Sequence, residues 1–160
     1  MIREATAEDV DLLVRLIREA FATVAARFAI TPANWPRHSS NISPERVREM
    51  MAEGHRYFVL DDGGEPRGCV ALRRDDAETV HLRHLGVVPA ARGRGLGRAL
   101  LAHALTEARR LGARRATLGI LAPDADLRAW YERHGFAVTE TKTWPDIPVD
   151  VTFMARDLEP

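Results

Sequence analysis

Leu85-Gly86-Val87-Val88-Pro89-Ala90-Ala91-Arg92-Gly93-Arg94-Gly95-Leu96-Gly97-Arg98-Ala99-Leu100-Leu101 is the stretch on which the reading of this chain turns. His81 to Val88 has the character of a strand, and Pro89 stops it. Arg92 to Gly97 then leads into a helix over Arg98 to Leu111, with Leu96, Leu100, Leu101, Leu105 and Ala108 at helical spacing. A glycine-rich turn opening a helix is a site for an anion. The first amides of a helix have no intrahelical partner, and the helix dipole adds roughly half a positive charge there. From His81 to Arg115 the chain carries eight arginines against one acid, Glu107, so a neutral average conceals a basic region. The plainer alternative is that the glycines shape a tight connection and the arginines form a solvated face.

Of two common ways of holding a nucleotide, one fails on this sequence and the other is a weak match. A phosphate loop requires Gly-Lys followed by Ser or Thr, where this chain has Gly97-Arg98-Ala99. A dinucleotide turn requires a third glycine, where Leu100 stands, and an acid about twenty residues on, where Thr117 stands.

Outward from the turn, the chain alternates between strand and helix. Ile2 to Ala5 reads as a strand, and Thr6 with Asp9 forms a capping box that starts a helix at once. Val10, Leu13, Val14, Ile17, Phe21, Val24 and Phe28 make its buried stripe, and Arg15, Arg18 and Glu19 its exposed face. Thr31 to Pro44 is a long, proline-containing connection of the kind that often carries function. Ser43 and Pro44 open a short helix ending near Gly54. Tyr57 to Leu60 and Arg67 to Arg73 form a hairpin across Asp61-Asp62-Gly63-Gly64.

Composition narrows the class. A length of 160 residues with 46% hydrophobic content predicts one α/β domain, 1–160, with a real core. Lys plus Arg equals Asp plus Glu at 23 each, which gives no bulk attraction to nucleic acid or an anionic membrane. No apolar run is long enough for a signal peptide or a bilayer span, so a cytoplasmic protein is expected. Cys69, the single cysteine, has no metal-ligand company and reads as a core residue of its strand. No metal is expected.

The stretch from Leu85 to Leu101 resembles the central motif of the GNAT superfamily of N-acetyltransferases, in which Arg or Gln is followed after two residues by Gly, one residue, and Gly or Ala. Arg92, Gly95 and Gly97 fill those places. The strand Ala116 to Leu121 and the segment Ala129-Trp130-Tyr131-Glu132-Arg133-His134-Gly135-Phe136 are similar to the family's later strand and its Tyr-bearing helix ending in Gly-Phe. The resemblance covers Val80 to Phe136. It implies a mixed α/β fold, a largely antiparallel sheet of six or seven strands flanked by about four helices, with two central parallel strands splayed around acetyl-CoA.

The resemblance also implies roles. Backbone groups of Leu85 and Val87 would pair with the pantetheine arm, and amides of Gly93, Arg94, Gly95, Leu96, Gly97 and Arg98, beside Arg92, would take the diphosphate. Tyr131 matches the tyrosine that protonates the departing thiolate. Where the family often has an Asn contacting the cofactor, this chain has Asp124, which also suits a helix N-cap. The acceptor amine would enter on the other side, against the least family-like segments. Those are Asn34, Trp35 and His38 in the long connection and Trp144, Asp146 and Ile147 between Thr143 and Val149, each with a Trp-Pro pair and the second with an acid for an ammonium group.

An amine with a pKa of about 10 is unprotonated in only about one molecule per thousand at pH 7, so a proton must leave before attack. His81, where some family members have Glu, is the first candidate base; His38, Asp124 and Asp146 are others. His81 and His84, three apart on a regular strand, would face opposite sides and not share a metal. His55, His103 and His134 read as exposed helix residues or terminators. A tyrosine near pKa 10 giving its proton to a thiolate near 8.5 is uphill by only about 2 kcal/mol. The leading expectation is acetylation of a small-molecule primary amine by direct attack in a ternary complex. A peptide or protein amine, or a non-catalytic CoA sensor, are the alternatives, and the oligomeric state, homodimer included, stays open.

Overall fold

A computed structural model describes residues 1–159. Seven strands form one sheet: β1 (Ile2–Glu4), β2 (Arg56–Asp62), β3 (Glu65–Arg74), β4 (Thr79–Val87), β5 (Arg115–Leu121), β6 (Ala137–Lys142) and β7 (Val151–Asp157). Four α-helices flank it: α1 (Val10–Arg27), α2 (Pro44–Ala52), α3 (Leu96–Arg110) and α4 (Ala125–Arg133). The order across the sheet is β1-β2-β3-β4-β5-β7-β6, with β4 and β5 parallel and every other pair antiparallel.

Strand alternation divides the core in two. Phe58, Leu60, Val70, Leu72, Val80 and Leu82 point to α3 and α4, while Tyr57, Val59, Cys69 and Ala71 point to α1 and α2. One-residue alternation therefore decides which helix pair each side chain meets. Cys69 is buried, as expected, and burial pushes its thiol up to about 12.

The local signals are realised with small shifts. Thr6 and Asp9 form the capping box, with Asp9 also paired to Arg3 at 2.9 Å, but they close a single 3₁₀ turn before α1 begins. Ser43 caps α2 with Pro44 in its first turn. The hairpin closes on Gly63-Gly64 alone, because both strands run further than their apolar residues indicated. Residues 31–43 are a chain of turns with a 3₁₀ turn at Ser39–Asn41, anchored to α1 by Arg18 Nε donating to the Ile42 carbonyl at 2.7 Å. At Gly86 the sheet and α1 touch directly: a Cβ there would lie 2.6 Å from Ala20 Cβ. This brings the second half of α1 against the end of β4. Among the described residues no helix is long and apolar enough to cross a membrane.

Candidate active site

The parallel strands separate after one short paired segment. β4 and β5 pair only from Thr79–His81 to Arg115–Thr117, after which β5 continues against β7 while β4 continues against β3. A gap is thus opened beside Leu82 to Val87. The cause lies in β4, where His84 and Leu85 stand opposite the single residue Val70, a bulge with His84 at φ 53. A bulge bends and twists the strand that carries it.

At the end of that strand lies the glycine turn. Arg92 follows a 3₁₀ turn at Pro89–Ala91, and Gly95 caps α3 from a left-handed conformation, φ 76, that glycine adopts freely. α3 begins at Leu96, two residues before the expected Arg98, so Gly97 sits inside its first turn. The first backbone bond of the helix runs from Ala99 N to the Gly95 carbonyl. The amides of Gly93 to Arg98 have no partner among the described residues, which makes them a row of free donors at the positive end of a helix dipole.

The arginines divide differently from their sequence clustering. Arg92 turns away from the amides and donates to the carbonyls of Ala20 at 2.8 Å and Val87 at 3.1 Å and to Thr23 Oγ1 at 3.2 Å. It ties the turn to α1. Arg94 pairs with Asp62 at 2.9 Å. Arg98 has no partner among the described residues and lines a groove along α3 with Arg109, His134 and Arg156. Of the remaining arginines of the His81–Arg115 run, Arg83 lies in the middle of β4, Arg109 and Arg110 at the far end of α3, and Arg114 and Arg115 at the start of β5, so the basic region at the turn is narrower than the sequence implied.

Tyr131 stands on α4, edge-on to Trp130 and Phe136 and 6% exposed. Burial raises its pKa above the usual tyrosine value. Its hydroxyl has no hydrogen-bond partner among the described residues and is not among the buried, unpaired atoms, so it reaches solvent as a free donor. Asp124 caps α4 through Leu127 N at 3.3 Å and lies 3.6 Å from Arg27. Its carboxylate is thus occupied by the helix end and by α1. Through Arg92 and Arg27, the last two turns of α1 link the glycine turn to the start of α4.

The bulge overturns the expectation that His81 and His84 face opposite ways. His81 Nδ1 is 2.7 Å from Thr117 Oγ1, and His84 Nδ1 is 3.0 Å from the Tyr57 hydroxyl, so both lie on the α1 and α2 face. No group of three or more His, Cys, Asp or Glu among the described residues is placed to hold a metal. Burial, reinforced by the neighbouring Arg83 charge, lowers His81 to about 4 and His84 to about 3. His55 is a terminator of α2, its backbone N–H donating to the Met50 carbonyl at 2.9 Å, while His103 is half-buried and not exposed. His55 is buried with Nδ1 2.9 Å from the Met50 carbonyl, and His103 packs edge-on to Phe58 with Nε2 buried and unpaired. His134, a helix terminator as expected, places Nδ1 2.7 Å from the Trp130 carbonyl.

Burial lowers His38 and His55 as well, so all four histidines of this face titrate below their unfolded value. The unfolded chain therefore binds more protons than the fold below about pH 6.5, and stability must fall as pH drops through that range. Thermal melts at pH 7.5 and 5 are expected to show a Tm lower by several degrees at pH 5. An unchanged Tm would mean that these rings are free to protonate in the fold.

The two segments expected at the acceptor side share no hydrogen bond or aromatic contact among the described residues. Trp35 is half-buried and edge-on to His38 at 4.9 Å; His38, 6% exposed, uses Nδ1 to accept from Ser40 N and stands edge-on to Phe21. Asn34 is exposed and bonded within the loop, accepting from Thr31 N and donating to the Ala29 carbonyl. Trp144 is 37% exposed against Phe153, and Asp146 is exposed with no partner among the described residues. A shallow, open depression missed in the sequence is lined by Phe28, Ala122, Pro123, Pro148, Val149 and Asp150. Phe28 had the spacing of a core residue, and nothing local in the sequence shows that it meets residues some 120 positions away.

A model of the acetyltransferase (GNAT) family matches residues 20–136. A mycothiol acetyltransferase of Beutenbergia cavernae is 40% identical over 93 residues, covering 58% of this chain and 31% of that protein. An uncharacterized N-acetyltransferase of Mycobacterium bovis is 30% identical over 135 residues, 79% of this chain and 86% of that protein. Among solved structures, the ribosomal-protein-S18-alanine N-acetyltransferase of Escherichia coli superposes with a TM-score of 0.79 at 21% identity, covering 100% of this chain and 94% of that one. The PaiA N-acetyltransferase of Thermoplasma acidophilum, solved with coenzyme A, does so with a TM-score of 0.75 at 19% identity and 98% coverage of both chains.

Proposed function

This chain belongs to the GNAT acetyltransferase family, and on that premise we propose that it transfers an acetyl group from acetyl-CoA to the primary amine of a small molecule. The family makes it an acyl-CoA-dependent N-acetyltransferase; the acetyl donor, the acceptor class and the residue roles are our reading, with residues 1–160 working as one domain. The observation that carries it is the row of unpartnered amides from Gly93 to Arg98 beside the separation of β4 and β5. Those amides suit a diphosphate, with Arg98 as the nearby free cation. The open side of β4 offers backbone to the pantetheine arm at Leu85 and Val87. The Val87 carbonyl already accepts from Arg92, so its N–H is the freer group.

Tyr131 on the α4 face supplies the proton for the leaving thiolate, and one of the two β4 histidines, His81 or His84, receives the proton of the amine on the opposite face. Direct attack follows, because the gap lets both faces of the sheet reach one thioester. Asp124 then acts on the cofactor only by fixing the start of α4.

The small-molecule reading is supported by a shallow, open depression at Phe28, Pro123, Pro148, Val149 and Asp150, whose lining mixes apolar side chains with one carboxylate. Trp35 with His38 and Trp144 with Asp146 frame the acceptor side more loosely. Trp35→Ala and Trp144→Ala are expected to raise the acceptor KM several-fold with CoA affinity intact. If both keep wild-type acceptor kinetics, the loops are structural. Thiol release from acetyl-CoA across amines, amino acids, aminoglycosides and peptides tests the function itself. Release only with peptides would move the acceptor to protein termini or lysines, and binding without release would make the chain a sensor.

A further inference from the structure

We propose that His84 Nε2 is the group that takes the proton from the acceptor ammonium, and that Tyr57 positions it for that step. This rests on the acetyl-transfer reading above and names the base within it.

Three observations single out His84. It occupies the bulge itself, at φ 53, a left-handed conformation that side-chain-bearing residues seldom adopt and that concentrates at functional sites. It is the residue immediately before Leu85, whose backbone borders the gap between β4 and β5. His81, by contrast, lies in the last paired rung, with Nδ1 held 2.7 Å from Thr117 Oγ1 on β5.

The orientation of the ring follows from its partner. Tyr57 belongs to β2, on the side of β4 away from β5, and its hydroxyl is 3.0 Å from His84 Nδ1. The two nitrogens of an imidazole point in nearly opposite directions, so Nε2 is turned away from β2, toward the side where β5 has separated. Nε2 has no partner among the described residues, and the buried unpaired side-chain nitrogens are Arg67 Nε and His103 Nε2 only, so His84 Nε2 meets solvent. Phe21 of α1, edge-on at 6.2 Å, and Tyr57, stacked at 5.9 Å, hold the ring plane.

Met50 completes the arrangement. The Tyr57 hydroxyl lies 3.4 Å from Met50 Sδ and 3.0 Å from His84 Nδ1, and we assign its proton to the sulfur, with its oxygen accepting from Nδ1–H. Every atom of that chain is satisfied with the imidazole neutral and the lone pair on Nε2, the form a proton acceptor requires.

The step balances without a further reactant. The Nε2 lone pair takes one proton from R–NH₃⁺, giving R–NH₂ and an imidazolium whose Nδ1–H still donates to Tyr57. The amine lone pair forms a bond to the thioester carbon, the C–S bond breaks, Tyr131 gives its proton to the thiolate as CoA–SH, and the second proton of the nitrogen passes through solvent to restore the Tyr131 hydroxyl. The imidazolium then releases its proton to solvent. Burial disfavours a cation on His84, but it disfavours the ammonium beside it in the same way, so transfer between them keeps the gap of about 3.5 pH units they have in water. That corresponds to roughly one productive proton position in 3,000, which a bound pair samples many times per turnover.

The test is thiol release and acceptor kinetics on the full chain. Asn tolerates the left-handed conformation, so His84→Asn keeps the backbone while removing the base. It is expected to lower kcat about a hundredfold or more, with CoA affinity within about twofold by calorimetry. His84→Gly, which fits the same φ and leaves a hole, is expected to regain at least about tenfold of its lost rate on addition of imidazole, a rescue that a purely structural residue would not show. Tyr57→Phe is expected to lower kcat by about three- to tenfold at unchanged acceptor KM, as a lost orienting contact should. Wild-type kcat in folded His84→Asn would overturn the assignment of the base, and a Tyr57→Phe effect on melting temperature alone would overturn the positioning role. Failure of the wild-type chain to release thiol with any amine would overturn the acetyl-transfer reading, and this inference with it, before any variant is made.

Discussion

Gly97→Asp is expected to bind CoA at least about a hundredfold more weakly than the wild-type chain, a loss of about 2.7 kcal/mol or more by calorimetry, while melting no lower. The two halves of that result have different causes. A Cβ on Gly97 would meet Trp130 at 3.8 Å and Val87 at 3.9 Å, ordinary contact distances, so the fold has room for a side chain. A glycine within a helix costs roughly 0.5–1 kcal/mol relative to alanine, and an acid in the first turn adds roughly 0.3–1 kcal/mol through the helix dipole. Stability should therefore hold or rise. The ligand experiences the reverse, since the new carboxylate occupies the space over the free amides and repels a diphosphate. The same substitution at Gly95 is less informative, because φ 76 there makes any side chain costly to the backbone. Unchanged CoA affinity in folded Gly97→Asp would remove the turn from cofactor binding.

That contrast also shows how far the sequence could be read. The strand, glycine turn and helix are local, and periodicity with glycine and proline punctuation was enough to locate them within two residues. The same holds for the Gly63-Gly64 hairpin and the Ser43 cap. What escaped was everything set by a distant partner. Arg92 looked like part of an anion site until α1 supplied the carbonyl of Ala20, and Arg94 until Asp62 supplied a carboxylate. The bulge at His84 depends on the register between β3 and β4, which no pattern in β4 alone specifies, and without it the facing of His84 was assigned to the wrong side. His55 and His103 were read from helix position, whereas their burial comes from packing against Met50 and Phe58.

The acceptor side was the least legible for a related reason. Trp35 and Trp144 stood out because tryptophan beside proline is a conspicuous local pair, yet the two segments make no hydrogen bond or aromatic contact with one another among the described residues. The open depression instead gathers Phe28, Pro123 and Pro148 from three places in the chain, none of which marks a site by itself. A surface assembled from loop ends is a tertiary property, and only its polar and aromatic outliers stand out in the sequence.

Tyr131→Phe is expected to lower kcat by about tenfold to a hundredfold, read by thiol release under saturating substrates, with CoA affinity changed by less than about twofold. The ring is buried among Trp130 and Phe136, and phenylalanine preserves that packing, so only the hydroxyl is lost. The hydroxyl is also the part with nothing to lose inside the protein, since it has no hydrogen-bond partner among the described residues. Burial raises the tyrosine pKa above its usual value, which makes it a poorer acid than the sequence-based figure of about 2 kcal/mol assumed. The departing thiolate, however, would form in the same water-poor surroundings, and its own pKa rises for the same reason. Because one anion replaces another, the difference between the two groups governs the transfer and stays near that of water, a cost small beside a catalysed barrier. Tyr131 can then hold its proton throughout the ground state and surrender it only when the C–S bond breaks. Wild-type turnover in Tyr131→Phe would show that solvent protonates the thiolate and that the free hydroxyl on α4 has another purpose.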